Sequence, residues 1–309
     1  MQQEKSVRVI YHGNCADGFG AAWAAWKALG DDAEYTAGVY NEPPPDCTGQ
    51  TVYLVDFSYK REVLLKMAET AKTVEVIDHH ASAMKDLEGI AEQAQKLGLN
   101  NVWTYFNMEH SGAMLAWQFF HPGQAAPKLL EYIEDRDLWR FRLANSKELS
   151  AYIFSYGYTF EDYSAMAGTF QYENIREKAV EQGRAIIRKQ DKDLAELLST
   201  IKHKQTIAGQ TVLIANLPYM LASEGGNQLS RNQPFAATYY DTGLHRVFSL
   251  RSQKDSGVDV SKIAQLFGGG GHVNASGFRL LHEDPLDPRP MAQRLAYPVK
   301  DFPQETDDD

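Results

Sequence analysis

Four short runs of β-branched and aromatic residues recur through the first 140 positions, at 7–11, 51–56, 74–78 and 102–107, and each ends in a turn with polar residues. Between them, apolar positions fall at helical spacing near 19–29, 60–71 and 112–120. Alternation of this kind predicts an α/β fold, a doubly wound and mainly parallel sheet with helices on both faces. Such a sheet binds its ligands at the carboxyl ends of the strands. The polar residues collect there: His12 follows the first run, Asp56 closes the run from Thr51, and Asp78, His79 and His80 close the run from Val74.

From 172 to 201 the pattern changes to one long helical stripe through Ile175, Ala179, Ile186, Leu194, Leu197 and Ile201, with Glu, Lys and Arg between them. A helix of that length reaches roughly 40 Å, enough to carry the chain into a second domain. The segment beyond it, with strands expected at 211–215, 235–241 and 246–251 and a helix at 260–267, reads as a smaller α+β domain. The chain of 309 residues exceeds the ~250–300 at which one core stops growing. The expected division is 1–190, 191–285 and an acidic, proline-rich tail at 286–309.

Net charge is −10, and the last 28 residues alone hold eight acids against three bases. No cluster of Lys and Arg exists to displace counterions, which argues against a basic surface for long duplex nucleic acid and leaves a short or small phosphorylated ligand. With two cysteines and no apolar leader at the start, a cytoplasmic location is expected. No apolar run approaches the ~18 residues of a membrane span, so no membrane partner is expected.

The segments VEVIDHH, VYLVDFS, IYHGNCADGFG and IEDRDLW bring acids, imidazoles and a thiol to strand ends or nearby loops. Carboxylates that face one another repel unless cations neutralise them, and divalent metal is the natural resolution. Farther on, Gly268, Gly269, Gly270 and Gly271 offer four positions without side chains, whose N–H groups can curl around an anion. His272 and Arg251 would add charge and directional donors. Ser111 is expected to be an ordinary helix cap, and Trp23, Trp26 and Trp117 to pack in the core.

On these motifs the chain resembles the DHH phosphoesterase superfamily, named for the triplet seen here as Asp78-His79-His80. The run VFSLRSQKDSGVDVSKIAQLFGGGGHVNASGF resembles the DHH-associated C-terminal domain, and the order of motifs is similar to the branch of nano-RNases and pAp phosphatases. The resemblance runs from 7 to about 281, with 140–205 matching only as helical filler. It implies a metal-binding catalytic domain followed by a substrate-binding one. It also implies two divalent ions, usually manganese, held by His12, Asp17, Asp56, His79 and either Asp135 or Asp137, with Asp56 bridging. His80 would then face the phosphate and Asp78 would orient the cluster.

The first motif departs from the family pattern, because Asn14 or Cys15 stands where relatives carry a second aspartate. A Cys15 ligand would favour zinc, cobalt or iron over manganese. At the late motif Asp135 is favoured, since Ile133 two residues before it mimics a strand end, with Asp137 the close second. The function implied is a metal-dependent phosphodiesterase and exonuclease acting on short single-stranded oligonucleotides or small nucleotides by a two-metal mechanism. The alternatives are a phosphatase on pAp, linear dinucleotides or polyphosphate, and a nucleotide-binding module without catalysis. A homodimer stays open.

Overall fold

The strand and helix alternation of the first half folds as a five-stranded parallel sheet in the computed structural model, which describes residues 5–40 and 42–281. In chain order it comprises β1 (Val7–His12), α1 (Ala16–Leu29), β2 (Ala33–Gly38), β3 (Thr51–Val55), α2 (Arg61–Ala68) and β4 (Thr73–Asp78). Then come α3 (Ala81–Asp86), α4 (Ile90–Lys96), β5 (Val102–Phe106) and α5 (Gly112–Phe120). The strand order is β2-β1-β3-β4-β5. The chain therefore steps outward from β1 to β2, returns past it to β3, and opens a crevice where the winding reverses.

Alternation along each strand feeds two separate cores. Val9, Val55 and Ile77 pack on one face with Trp23, Trp117, Leu129 and Tyr163, whereas Ile10, Leu54 and Val76 pack on the other with Leu64, Leu65 and Ile90. Side chains that point to opposite faces at successive positions make such a sheet apolar on both sides, which is why its strands read as continuous hydrophobic runs. Trp23 and Trp117 are buried and stacked, with ring centroids 6.1 Å apart, while Trp26 is only partly buried and donates from Nε1 to Asp31. The strand β2 is not foreseen by the sequence pattern, since Ala-Glu-Tyr-Thr-Ala-Gly has no β-branched run.

Helices α6 (Lys128–Asp137), α7 (Ser146–Ile153), α8 (Phe160–Gln171) and α9 (Glu173–Ile201) come next. The chain divides into two compact units, Met1–Lys189 and Gln190–Asp309, with α9 running through the division. The second unit holds β6 (His203–Ile207), β7 (Gln210–Asn216), α10 (Ala222–Leu229), β8 (Ala236–Thr242), β9 (His245–Arg251), α11 (Val260–Gln265), β10 (Gly270–His272) and β11 (Ala275–Leu281). Its mixed sheet has the order β10-β11-β9-β8-β7-β6, with β7 and β8 parallel and the other pairs antiparallel. Phe248, Phe267 and Phe278 stack over it. The tail expected at 286–309 lies outside the described residues. Among the described residues, no helix is long and apolar enough to cross a membrane.

Two helical glycines separate a packing constraint from a simple propensity cost. A Cβ on Gly183 of α9 would overlap the main-chain carbonyl of Glu148 in α7, whereas Gly168 of α8 faces open space. Gly183→Ala is expected to destabilise the fold by about 1–3 kcal/mol through overpacking. Gly168→Ala is expected to stabilise it by up to about 1 kcal/mol through helix propensity. Thermal melts of the two variants should therefore move in opposite directions, by a few degrees each.

Candidate metal centre

Three strand ends deliver the site to the crevice. β1 ends at His12, and the chain turns through Gly13, Asn14 and Cys15 so that Asp17 lies in the first turn of α1. Asn14 takes a positive φ of 55°, and a Cβ on Gly18 would overlap the main chain of His12, so this turn closes only with those residue types. β3 ends at Val55; the N–H of Asp56 still donates to the Ile77 carbonyl at 2.9 Å, and Asp56 then adopts a φ of 54°. A left-handed aspartate at a strand end is the kind of local strain that folded proteins keep at functional sites. β4 ends in Asp78, directly before His79 and His80.

Asp17, Asp56, Asp78 and His79 are all buried, none more than 2% exposed. His79 Nε2 lies 3.1 Å from Asp56 Oδ1, 3.6 Å from Asp17 Oδ2 and 3.7 Å from Asp137 Oδ2, so one imidazole stands among three carboxylates. His12 Nδ1 is 3.6 Å from Asp56 Oδ2. Within the first unit, three sets of donor atoms each fall within 4.8 Å of one another: His12, Cys15 and Asp56; Asp17, His79 and Asp137; Asp56, Asp78, His79 and His80. Asp56 belongs to two of them.

The surroundings hold these groups in place. Both oxygens of Asp17 accept backbone N–H groups at the start of α5, from Gly112 at 2.7 Å and Ala113 at 3.0 Å. Gly112 also has to be glycine, because a Cβ there would overlap the side chain of Asp56. Ser111 caps α5 by accepting from the N–H of Met114, so the helix terminus serves a side chain and its own cap. Asp78 Oδ1 accepts from the N–H groups of His79 and His80 at 2.7 and 3.3 Å and pairs with His80 Nδ1 at 2.7 Å, which sets the His80 ring.

The charges are strained accordingly. Burial pushes the Asp17 carboxyl well above the usual range, and the charges of Asp56 and Asp137 push it further. Burial would raise Asp56 too, but the imidazoles of His12 and His79 hold it far below the ordinary carboxylate range. Burial would lower His79, yet Asp56 beside it, with Asp137 and Asp17, lifts it to about 11. The Cys15 thiol is raised well above its usual value by burial and by the same three carboxylates.

A divalent cation fits this cluster on one observation: neither oxygen of Asp56 makes a hydrogen bond of good geometry although the group is 1% exposed. Buried carboxylate oxygens left in that state are costly. The carboxylate, imidazole and thiol donors around them are those that divalent metals take.

The late motif is corrected by the structure. Asp135 sits within α6, not at a strand end, and its carboxylate accepts the N–H groups of Arg142 and Leu143 at 2.9 and 3.1 Å, tying down the loop after the helix. Two residues along a helix turn the side chain by roughly 200°, so the neighbour on the other face meets the cluster. That neighbour is Asp137. At the first motif Asn14 is exposed, and Cys15 is the residue whose sulfur lies near His12 and Asp56.

The glycine run is corrected as well. The N–H groups of Gly268 and Gly269 donate to Gln265 and Ala264 at the end of α11, while Gly270 and Gly271 pair with β11. A Cβ at Gly269 or Gly271 would strike β11, so these glycines allow close packing and do not form a four-residue anion cradle. Arg251 Nη1 donates to Ser249 Oγ and the Leu250 carbonyl at 2.8 Å, and Nη2 to Ser223 Oγ at 2.9 Å; His272 ends β10. Sequence reasoning missed Tyr40, whose ring centroid lies 5.3 Å from that of His12, because β2 itself was not foreseen. It also missed the space that Gly112 leaves for Asp56, a contact that no local pattern encodes.

Comparison with known proteins places the chain among relatives. It is 30% identical over 297 residues to an uncharacterised protein of Acanthamoeba polyphaga mimivirus, covering 87% of this chain and 66% of the viral one, so it spans just under two thirds of that relative. It is 24% identical over 342 aligned positions to the oligoribonuclease NrnB of Bacillus subtilis, covering 94% of this chain and 80% of that one. Among solved structures, the DHH domain of a member of a ribosomal-protein family matches with a TM-score of 0.51 at 14% identity, covering 88% and 82% of the two chains. No protein-family model matches the chain.

The two late aspartates give a direct check. Asp137→Asn is expected to lower whatever divalent metal is retained after dialysis, measured by elemental analysis, with the melting temperature little changed. Asp135→Asn is expected to leave metal retention unchanged and to lower the melting temperature, because two part-buried backbone donors lose a charged acceptor, at a cost of about 1–3 kcal/mol.

Proposed function

We propose that the chain is a metal-dependent phosphodiesterase of the DHH family, removing nucleotides from short single-stranded oligonucleotides as an exonuclease. The observation that carries this reading is the buried cluster around Asp56, whose two oxygens face acids and imidazoles without a well-formed hydrogen bond. Support for the substrate class comes from the Bacillus relative, which is an oligoribonuclease by name.

Two divalent ions would be held by Asp17, His79 and Asp137 on one side and by His12, Cys15 and Asp56 on the other, with Asp56, 3.1 Å from His79 Nε2, also beside the first group. When bound, such ions stabilise the attacking and leaving oxygens of an in-line displacement at phosphorus and make water a stronger nucleophile at neutral pH. We assign His80 to the substrate phosphate, its ring fixed by Asp78. In the second unit Arg251 and His272, not the N–H groups of Gly268 and Gly269, are assigned as anion contacts. Manganese is the first choice of ion, with zinc, cobalt or iron favoured at the Cys15 position if its thiolate ligates. Both cysteines are free, which suits the reducing cytoplasm, and we place the protein there.

Product analysis on 5′-labelled RNA and DNA of two to fifty nucleotides, with pAp and polyphosphate in parallel, tests the reading. Stepwise loss of single nucleotides, faster for a pentamer than for a fifty-mer, is expected. Asp56→Asn should cut turnover by roughly a hundredfold or more and reduce bound metal with the fold intact. Tight binding of these ligands without turnover under any metal would instead identify a nucleotide-binding module.

Cys15 provides a second check. It should alkylate much faster after chelation than with metal bound, because a coordinated thiolate is shielded from the reagent. Cys47 should not respond to the metal. Equal Cys15 labelling with and without metal would remove it from the ligand set.

A further inference from the structure

The backbone donors that hold Asp17 are themselves held, by a carboxylate outside the cluster. The chain enters α5 through Glu109, His110 and Ser111, and the end of α6 grips each of them. Glu134 Oε2 accepts the N–H of Ser111 at 3.1 Å and pairs with His110 Nδ1 at 3.0 Å. Its other oxygen accepts from Arg140 Nη1 at 3.2 Å, and Arg140 Nη2 donates to the Glu109 carbonyl. The Glu134 side chain is only 12% exposed, so these charge-assisted bonds lie largely out of water, where they are strongest.

The first four N–H groups of a helix find no partner within it. In α5 all of them are placed: Ser111 donates to Glu134, Gly112 and Ala113 donate to Asp17, and Met114 donates to Ser111 Oγ. Consecutive peptide planes are rigid, so the place of the Ser111 N–H limits where the next two can point. There is little slack, since Gly112 already sits where a Cβ would overlap Asp56. Burial pushes the Asp17 carboxyl up, and the Ser111 side chain works against that rise, so the same residue meets Glu134 on one side and Asp17 on the other.

Glu134 and Asp137 stand three residues apart on α6, and so on one face of it. One helix thus delivers Asp137 to His79 directly and Glu134 to the backbone that holds Asp17. On the reading of the cluster as a metal centre, we propose that Glu134 is a positioning residue for it. By holding the Ser111 N–H and the His110 ring, Glu134 sets the two N–H groups that fix Asp17, and through Asp17 the affinity for a divalent ion.

The test uses the full chain, as the parent, Glu134→Ala and Glu134→Gln, with two readings. The first is amide hydrogen exchange of the metal-free protein, followed by NMR. Glu134→Ala should speed exchange at Gly112 and Ala113 roughly tenfold or more, while amides of β3 and β4 keep the parent rates. The second is titration with manganese, cobalt and zinc in turn. Glu134→Ala should weaken binding roughly tenfold, the low end for groups that orient a metal ligand from outside. Glu134→Gln keeps an acceptor oxygen for Ser111 and should restore most of both readings. Should Glu134→Ala not fold, Arg140→Gln, which removes a partner of the same carboxylate, should move both readings in the same direction by a smaller amount.

The route through Asp17 is read by combining substitutions. In an Asp17→Asn background Glu134→Ala should weaken metal binding less than about twofold further, and in an Asp137→Asn background it should keep its full effect. Parent exchange rates at Gly112 and Ala113 in Glu134→Ala overturn the proposal. So does a full effect that survives Asp17→Asn, or a Glu134→Gln variant as weak as Glu134→Ala, which would make the charge of Glu134 the cause and not its bonds. A parent that takes up none of the three metals defeats the metal-centre reading instead, and exchange, which needs no ion, still decides whether Glu134 holds the donors of Asp17.

Discussion

A carboxylate in a dry pocket is tolerated only with positive charge beside it, and this protein gathers Asp17, Asp56 and Asp137 around a single imidazole, His79. Much of the first unit is arranged to make that gathering possible. The parallel sheet brings strand ends to one edge, the reversal of winding between β1 and β3 opens the crevice, and α5 offers two N–H groups to Asp17, whose carboxyl burial pushes well above its usual range. Without cations, protonation of His79 relieves part of the repulsion. Divalent ions would relieve it while leaving the imidazole neutral, and that is the state in which a histidine can act as a ligand.

The sequence made the sheet legible because two-residue alternation across a doubly covered sheet produces unbroken apolar runs, and because acids and imidazoles at their ends have no structural reason to be there. Asp56, Asp78 and His79 could be placed in this way. The same habit of reading misled at 133–137, where an isoleucine before an aspartate looked like another strand end but belongs to α6. Only the helical phase distinguishes Asp135, which faces the loop after α6, from Asp137, which faces His79. The run of four glycines was misread for a related reason. A sequence shows that side chains are absent there, and only the packing of β11 against them shows why.

The features that no local pattern could supply are contacts between residues distant in the chain. Tyr40 reaches His12 because β2 pairs with β1, and the small polar sequence of β2 gave that strand little signal. Trp139 and Phe154 come together over Arg136 through the packing of α6 with α7, and neither position differs in kind from the many other aromatic residues of the chain.

The contact between Gly112 and Asp56 has a bearing on descent. Any side chain at 112 would meet the Cβ of Asp56, the acid that belongs to two of the candidate donor sets, so every residue but glycine at 56 demands glycine at 112. A lineage that gave up the acid but kept the fold would still need the glycine, so its retention alone says nothing of activity.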